Sequence, residues 1–273
     1  EFASFADCFF ESASGFTTTG GTILPDIESL PRSILFWRAF SSWVGGMGVL
    51  IFTMAFLPKV GGRTQVLVQA EATGPVSSKL VPKTAMSSRI LYIIYITFTA
   101  VETIALRIAG MPWFDAITTT FSCVCTGGFS VMNQSLGAYT LPACEVIAIV
   151  FMLLGSLNFA FFFLVITGRA RQALRSEEMW VFLGILAAVS LAVAVNILPL
   201  FSGFGEAFRH AIFTAASVMS TSGFAISDFN LWPWLSKTLL VVLMFVGACA
   251  GSTGGGIKIV RIVIGAKLAR RGG

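Results

Sequence analysis

Charge is scarce in this sequence: Asp, Glu, Lys and Arg make up 11% of its 273 residues, against 56% hydrophobic residues. A soluble domain carries roughly a quarter of its residues as charges, so that class is excluded. Histidine is scarcer still, with His210 alone, and the five cysteines (Cys8, Cys123, Cys125, Cys144, Cys249) form neither a CxxC pair nor a zinc-like spacing. A His/Cys metal centre and a disulfide framework are thereby set aside, and the cysteines read as small hydrophobes. The clusters of Cys, His and carboxylate that a membrane enzyme needs are also missing, so the chain reads as a non-enzyme. No cleavable signal peptide is visible; the chain opens at Glu1 inside an amphipathic stretch, which implies a natural N-terminus further upstream.

What the sequence does have is apolar length, with 26 Phe residues and a mean hydropathy of +0.86. A helix needs about 20 mostly apolar residues to cross the hydrocarbon core. Residues 33–57, 90–109, 144–167 and 179–200 meet that length, and residues 235–250 form a shorter fifth run that ends in glycines. The fold class expected is an all-α polytopic membrane protein.

The net charge of +5 resides mostly in three clusters: Lys59, Arg63, Lys79, Lys83 and Arg89; Arg169, Arg171 and Arg175; Lys258, Arg261, Lys267, Arg270 and Arg271. Each falls at every second crossing, which the positive-inside rule reads as cytoplasmic and which displaces a nucleic-acid partner as the explanation. Of the acids, only Glu71, Glu177 and Glu178 lie in inner loops. The rest gather mostly on the outside, where they would concentrate cations.

Three segments repeat. The polar positions Asp7, Asp115 and His210 each stand 13 residues before a glycine, Gly20, Gly128 and Gly223, and Thr18, Thr126 and Thr221 each stand two before it. The 8 to 12 residues preceding each glycine are too short and too rich in Ser, Thr and Ala to span a bilayer, and read as re-entrant pore helices. A tight turn between helices would explain one such glycine; three in register point to a pore lining. Backbone that is not helical survives at membrane depth only inside protein or beside a water-filled cavity, where its carbonyls can replace a cation's hydration shell. The candidate ion-binding residues are Thr18, Thr19 and Gly20; Thr126, Gly127 and Gly128; and Thr221, Ser222 and Gly223. No carboxylate occurs in these strands, which favours selection by backbone oxygens.

A glycine patch interrupts the last apolar run: Gly251, Ser252, Thr253, Gly254, Gly255 and Gly256, followed by Ile257 and Lys258. A phosphate loop would need G-x-x-x-x-G-K-[ST] after a strand, and the spacing does not fit. Glycines at about 1 kcal/mol each against Ala break a helix. The expectation is an intramembrane gating loop below the filter; a kink that allows close helix packing is the alternative. Gly45, Gly46 and Gly48 read as packing glycines.

These motifs, FFESASGFTTTGGT (residues 9–22), LPRSILFWRAFSSWVGGMG (30–48), CTGGFS (125–130), STSGFA (220–225) and GACAGSTGGGIKIVR (247–261), resemble the Trk/Ktr/HKT superfamily of potassium transporters, in particular its bacterial Trk branch. The resemblance covers essentially the whole chain. It implies helix, pore-helix, helix units with pseudo-fourfold symmetry about one pore, Gly20, Gly128 and Gly223 as filter glycines, and residues 251–256 as the gate. It also implies a multi-pass protein of the bacterial inner membrane, a homodimer with one pore per subunit, and a cytoplasmic ring of nucleotide-binding regulatory subunits that the basic inner loops could meet. Potassium is the transported ion, with no cofactor in the chain. On this reading residues 1–57 are the first unit without its opening helix, 58–85 a cytoplasmic loop, 86–168 the second unit, 169–177 a cytoplasmic loop and 178–273 the third unit. A fourth unit is expected beyond Gly273. Gly20 agrees with potassium-selective members, since sodium-permeable plant relatives tend to carry serine there.

Coupled symport with H⁺ or Na⁺ is the alternative to a passive pore, and a less selective K⁺/Na⁺ pathway is another. Glu102, inside an apolar run, is the residue through which coupling would act, unless Arg107 five residues on pairs with it.

Overall fold

Proline marks where the helices start. Pro31, Pro112 and Pro233 immediately precede helices, and Pro142 is the first residue of one; proline suits these places because its ring presets φ and the first N–H of a helix has no partner to lose. In the computed structural model, which describes residues 4–48 and 85–272, the first unit is α1 (Phe5–Phe16) and α2 (Arg32–Gly46). The second holds α3 (Ala85–Ile108), α4 (Trp113–Val124), α5 (Pro142–Ser156) and α6 (Phe159–Ile166). After the short α7 (Ala170–Ala173), the third holds α8 (Glu177–Ile197), α9 (Phe204–Met219), α10 (Trp234–Phe245) and α11 (Ile259–Gly272).

The short helices α1, α4 and α9 cover the segments read as re-entrant, and each leads to one of the repeated glycines. They are linked in a fixed order: α2 of the first unit packs on α4 of the second, and α5 of the second packs on α9 of the third. One apolar core runs between the units through Tyr95, Leu106, Met111, Cys123, Cys125, Met152, Phe182, Phe213 and Met219. Trp43 ties α2 to α3 there: its indole N–H donates to Thr99 Oγ1 at 2.9 Å, while Tyr95 donates to the Trp43 carbonyl. Outside that core, Ile93, Val101, Ile104, Leu191, Val195, Val241, Val242 and Phe245 are exposed. An apolar outer surface of this kind is what lipid requires. Cys123, Cys125, Cys144 and Cys249 are buried free thiols, as small hydrophobes would be, and Cys8 is exposed.

Among the described residues two helices, Ile90–Ile108 and Glu177–Leu200, are long and apolar enough to cross a membrane. The second ends in a 3₁₀ turn at Leu198–Leu200. The run at 144–167, expected as one span, is instead broken at Leu157 and Asn158, and α5 and α6 meet at 92°. Asn158 causes the turn by capping α6, its Oδ1 accepting from the Ala160 N–H at 2.8 Å. The run at 33–57 is helical to Gly46, with Gly48 at φ +74°; its remainder lies outside the described residues, as do Lys59, Arg63, Glu71, Lys79 and Lys83 of the inner loop. The run at 235–250 is helical only to Phe245.

Candidate ion-filter site

Each re-entrant helix ends the same way. The N–H of Thr18 donates to Gly15 O and that of Thr19 to Ser14 O; Thr126 and Gly127 do the same to Cys123 and Ser122, and Thr221 and Ser222 to Val218 and Ser217, all at 2.8–3.1 Å. This pair of bonds is the Schellman C-cap, which requires a left-handed residue at its centre, usually glycine. Here threonine fills it three times, with φ of +55°, +56° and +62°. A left-handed threonine costs about 1–2 kcal/mol, so the conformation has to be held by its surroundings. Two residues later Gly20, Gly128 and Gly223 are left-handed again, at φ +70°, +71° and +80°.

A serine six residues before each glycine was not singled out in the sequence, although its spacing is as regular as that of the threonines. Ser14 Oγ donates to Gly21 O and Ser217 Oγ to Phe224 O, both at 2.6 Å, which ties the segment beyond the glycine back to its own helix. Ser122 holds the same position in the second unit, buried, and its Oγ has no hydrogen-bond partner among the described residues.

The three glycine segments lie side by side. A Cβ built on Gly20 would fall 1.8 Å from the Gly127 carbonyl oxygen, and one on Gly128 would fall 1.6 Å from that of Ser222. No side chain fits at either place. At Gly223, nothing among the described residues lies within 4 Å of such a Cβ. Beyond the glycines the first two units are clasped: Asn133 Nδ2 donates to Asp26 Oδ1 at 3.0 Å, and Asn133 Oδ1 accepts from the Ile27 N–H at 2.9 Å. The Asn133 bond holds the Asp26 carboxyl below the usual carboxylate range.

The glycine patch reaches the threonine end of these same segments. Thr253 Oγ1 donates to Val124 O at 3.2 Å and to Gly155 O at 3.0 Å, and lies 3.4 Å from Thr126 Oγ1. The Gly255 N–H donates to Thr221 Oγ1 at 2.7 Å, and a Cβ on Gly254 would meet Ala248 Cβ at 2.5 Å and Ser220 O at 2.9 Å. Lys258 is buried and its Nζ donates to the Gly254 carbonyl. Glu178, at the start of α8, grips both ends of the patch, since its Oε1 accepts from the N–H groups of Ala250 at 2.7 Å and Val260 at 3.3 Å. The break between α5 and α6 is satisfied by the same loop. Ser156 O accepts from the Cys249 N–H, Gly155 O from the Thr253 N–H, and the Phe159 N–H donates to Gly251 O, at 3.0–3.2 Å. Two interruptions of helix thus supply each other's backbone partners.

Glu102 is fully buried in α3, where its carboxyl lies within reach of the Cys123 thiol and has no cation paired with it among the described residues. Arg107 does not pair with it; its guanidinium carbon lies 5.7 Å from the centre of the Trp113 ring. Among the described residues no group of three or more His, Cys, Asp or Glu could hold a metal ion.

The family profile TrkH, described as a cation transport protein, matches residues 2–201 and 179–271. The chain belongs to the TrkH family. The Trk system potassium uptake protein TrkH of Halomonas elongata is 38% identical over 261 residues, which is 94% of this chain and 54% of that protein. Its counterpart in Escherichia coli K12 is 36% identical over 263 residues, again 94% and 54%. The crystal structure of the potassium transporter TrkH from Vibrio parahaemolyticus superposes with a TM-score of 0.83 at 34% identity, covering 98% of this chain and 56% of that one. This TrkH-family chain therefore spans about half the length of the curated relatives it matches. The helical, polytopic membrane architecture read from the sequence is the architecture of the family, and these relatives are transport proteins rather than enzymes.

Proposed function

We propose that this chain takes up potassium across the bacterial inner membrane through a channel-like pore, with its selectivity filter at the glycine segments and its gate at residues 251–256. The observation that carries this reading is the side-by-side packing of three segments in which a left-handed Thr and a left-handed Gly alternate. Alternating left-handed residues turn successive carbonyls toward the same side, where they can ring a dehydrated cation. The C-terminal ends of α1, α4 and α9 direct their partial negative charge to that place. Outer carboxylates such as Asp26, Glu28 and Asp228 raise the local cation concentration.

Ions move through the filter by exchanging water for carbonyl oxygens of Thr18, Thr19, Gly20 and their counterparts. Beneath it, the loop held by Thr253, Gly255 and Lys258 obstructs the path, and releasing those bonds opens it. The open side of Gly223 is where a fourth strand closes the ring, in the relation that Ser222 bears to Gly128. Two such chains form a dimer with separate pores. The exposed Arg261 and Arg270 on α11 suit a contact with a cytoplasmic nucleotide-binding regulator.

Expression in a host that lacks its own potassium uptake tests this reading. Growth on limiting K⁺ is the expected result, and absence of growth with the protein present in the membrane contradicts it.

A second reading, coupled symport, rests on the buried Glu102, which no cation among the described residues pairs. It requires Glu102→Gln to abolish H⁺ movement that accompanies K⁺; uptake without such movement in the unaltered protein excludes it.

A further inference from the structure

The three units are not equivalent behind the filter. Nine residues before the glycine stand Glu11, Thr119 and Thr214, so only the first unit places a carboxylate there. Glu11 is buried, and each of its oxygens is committed. Oε1 accepts from Thr22 Oγ1 at 2.5 Å and from the Ile23 N–H at 2.9 Å, while Oε2 lies 3.1 Å from Arg38 Nε. Thr22 and Ile23 are the second and third residues beyond Gly20. Arg38 is buried as well, at 4% exposure, and its guanidinium carbon lies 4.3 Å from the centre of the Phe129 ring. Phe129 directly follows Gly128 in the second segment. Arg38 Nη1 and Nη2 have no hydrogen-bond partner among the described residues. A buried ion pair can cost as much in desolvation as it returns in attraction, so stability is a weak reason for one here.

We propose that Glu11 and Arg38 are positioning residues for ion selectivity: through Thr22 and Ile23 on one side and Phe129 on the other, they fix the register of the first filter strand against the second. Neither residue touches the ion. Glu11 anchors the outer end of the first strand by two charge-assisted hydrogen bonds, and Arg38 carries the constraint to the neighbouring strand by cation–π contact. The pair is neutral while both charges are present or both are removed, and charged when one is removed alone. Removing Glu11 leaves a buried cation behind the filter, which repels the incoming ion; removing Arg38 leaves a buried anion, which attracts it.

This inference rests on the filter reading, and the test separates the two. K⁺ and Na⁺ uptake are measured in proteoliposomes for the full-length protein and for Glu11→Gln, Arg38→Gln, the double variant and Thr22→Val, with melting temperature followed in parallel. Thr22→Val removes one anchor and keeps both charges, so it reports even where a charge variant fails to fold. The expected result is a fall of about tenfold in K⁺ over Na⁺ discrimination for Glu11→Gln, the size set by losing charged hydrogen bonds on one strand, with a smaller fall for Thr22→Val. Apparent K⁺ affinity should weaken in Glu11→Gln, strengthen in Arg38→Gln and return toward the original value in the double variant; a loss of structure alone moves both single variants the same way. A selective parent protein whose Glu11→Gln and Thr22→Val variants are equally selective overturns the positioning role and leaves the filter reading standing. An unselective parent protein overturns both.

Discussion

Gly20 lies so close to the carbonyl oxygen of Gly127 that a Cβ on it would sit 1.8 Å away, and Gly128 stands in the same relation to Ser222 at 1.6 Å. Glycine is required at these two places by its neighbour as well as by its own left-handed backbone. Gly128→Ser should therefore displace the second strand from the third and lower K⁺ over Na⁺ discrimination while the protein still assembles. Gly223→Ser should do the same, because the proposed fourth strand packs there. Competition between K⁺ and Na⁺ for uptake measures both. Unchanged selectivity in Gly128→Ser would reduce that glycine to a turn, and a harmless Gly223→Ser would argue against a fourth strand at that position.

Thr253 joins three elements, with its hydroxyl donating toward Val124 O and Gly155 O and its N–H to Gly155 O. Thr253→Val keeps the shape and removes the hydroxyl, a loss of about 1 kcal/mol and hence a several-fold weaker hold on the loop. Basal K⁺ flux should rise several-fold with no change in ion preference, and deleting residues 254–256 should raise it further. Flux that falls, or that rises together with a loss of selectivity, would place Thr253 in the filter's support instead of the gate.

Two glycines in helices provide a stability contrast. Gly184, within α8, has nothing within 4 Å of a Cβ, whereas one on Gly46 would meet Cys125 Cβ at 2.4 Å and the Tyr95 hydroxyl oxygen at 2.9 Å. Gly184→Ala should stabilise by about 0.5–1 kcal/mol, and Gly46→Ala should destabilise by about 1–3 kcal/mol through overpacking. Thermal unfolding in detergent gives both signs. Equal effects would mean that α2 does not pack on α4 as described.

The repeat was legible in the sequence because it is written in spacing: Asp7, Asp115 and His210 count forward to the glycines, and the threonines count back from them. The reason for threonine was not legible, since a left-handed C-cap normally calls for glycine and only the backbone reveals that Thr18, Thr126 and Thr221 occupy it. The break at Leu157 and Asn158 was hidden by composition, because Gly155, Ser156 and Asn158 are embedded in phenylalanine and leucine and a hydropathy window averages them away. Their partners lie about a hundred residues on in the glycine patch, and such long-range exchange of backbone bonds leaves no local signature. Glu11 and Arg38 were equally silent, being 27 residues apart on different helices and paired only by the way α1 packs on α2.

Ion flux through the purified full-length protein in liposomes, with K⁺, Rb⁺ and Na⁺ compared under one gradient, addresses the central claim most directly. A backbone-carbonyl filter at Gly20, Gly128 and Gly223 predicts that K⁺ and Rb⁺ pass readily and Na⁺ far more slowly. Equal flux of all three ions would contradict it.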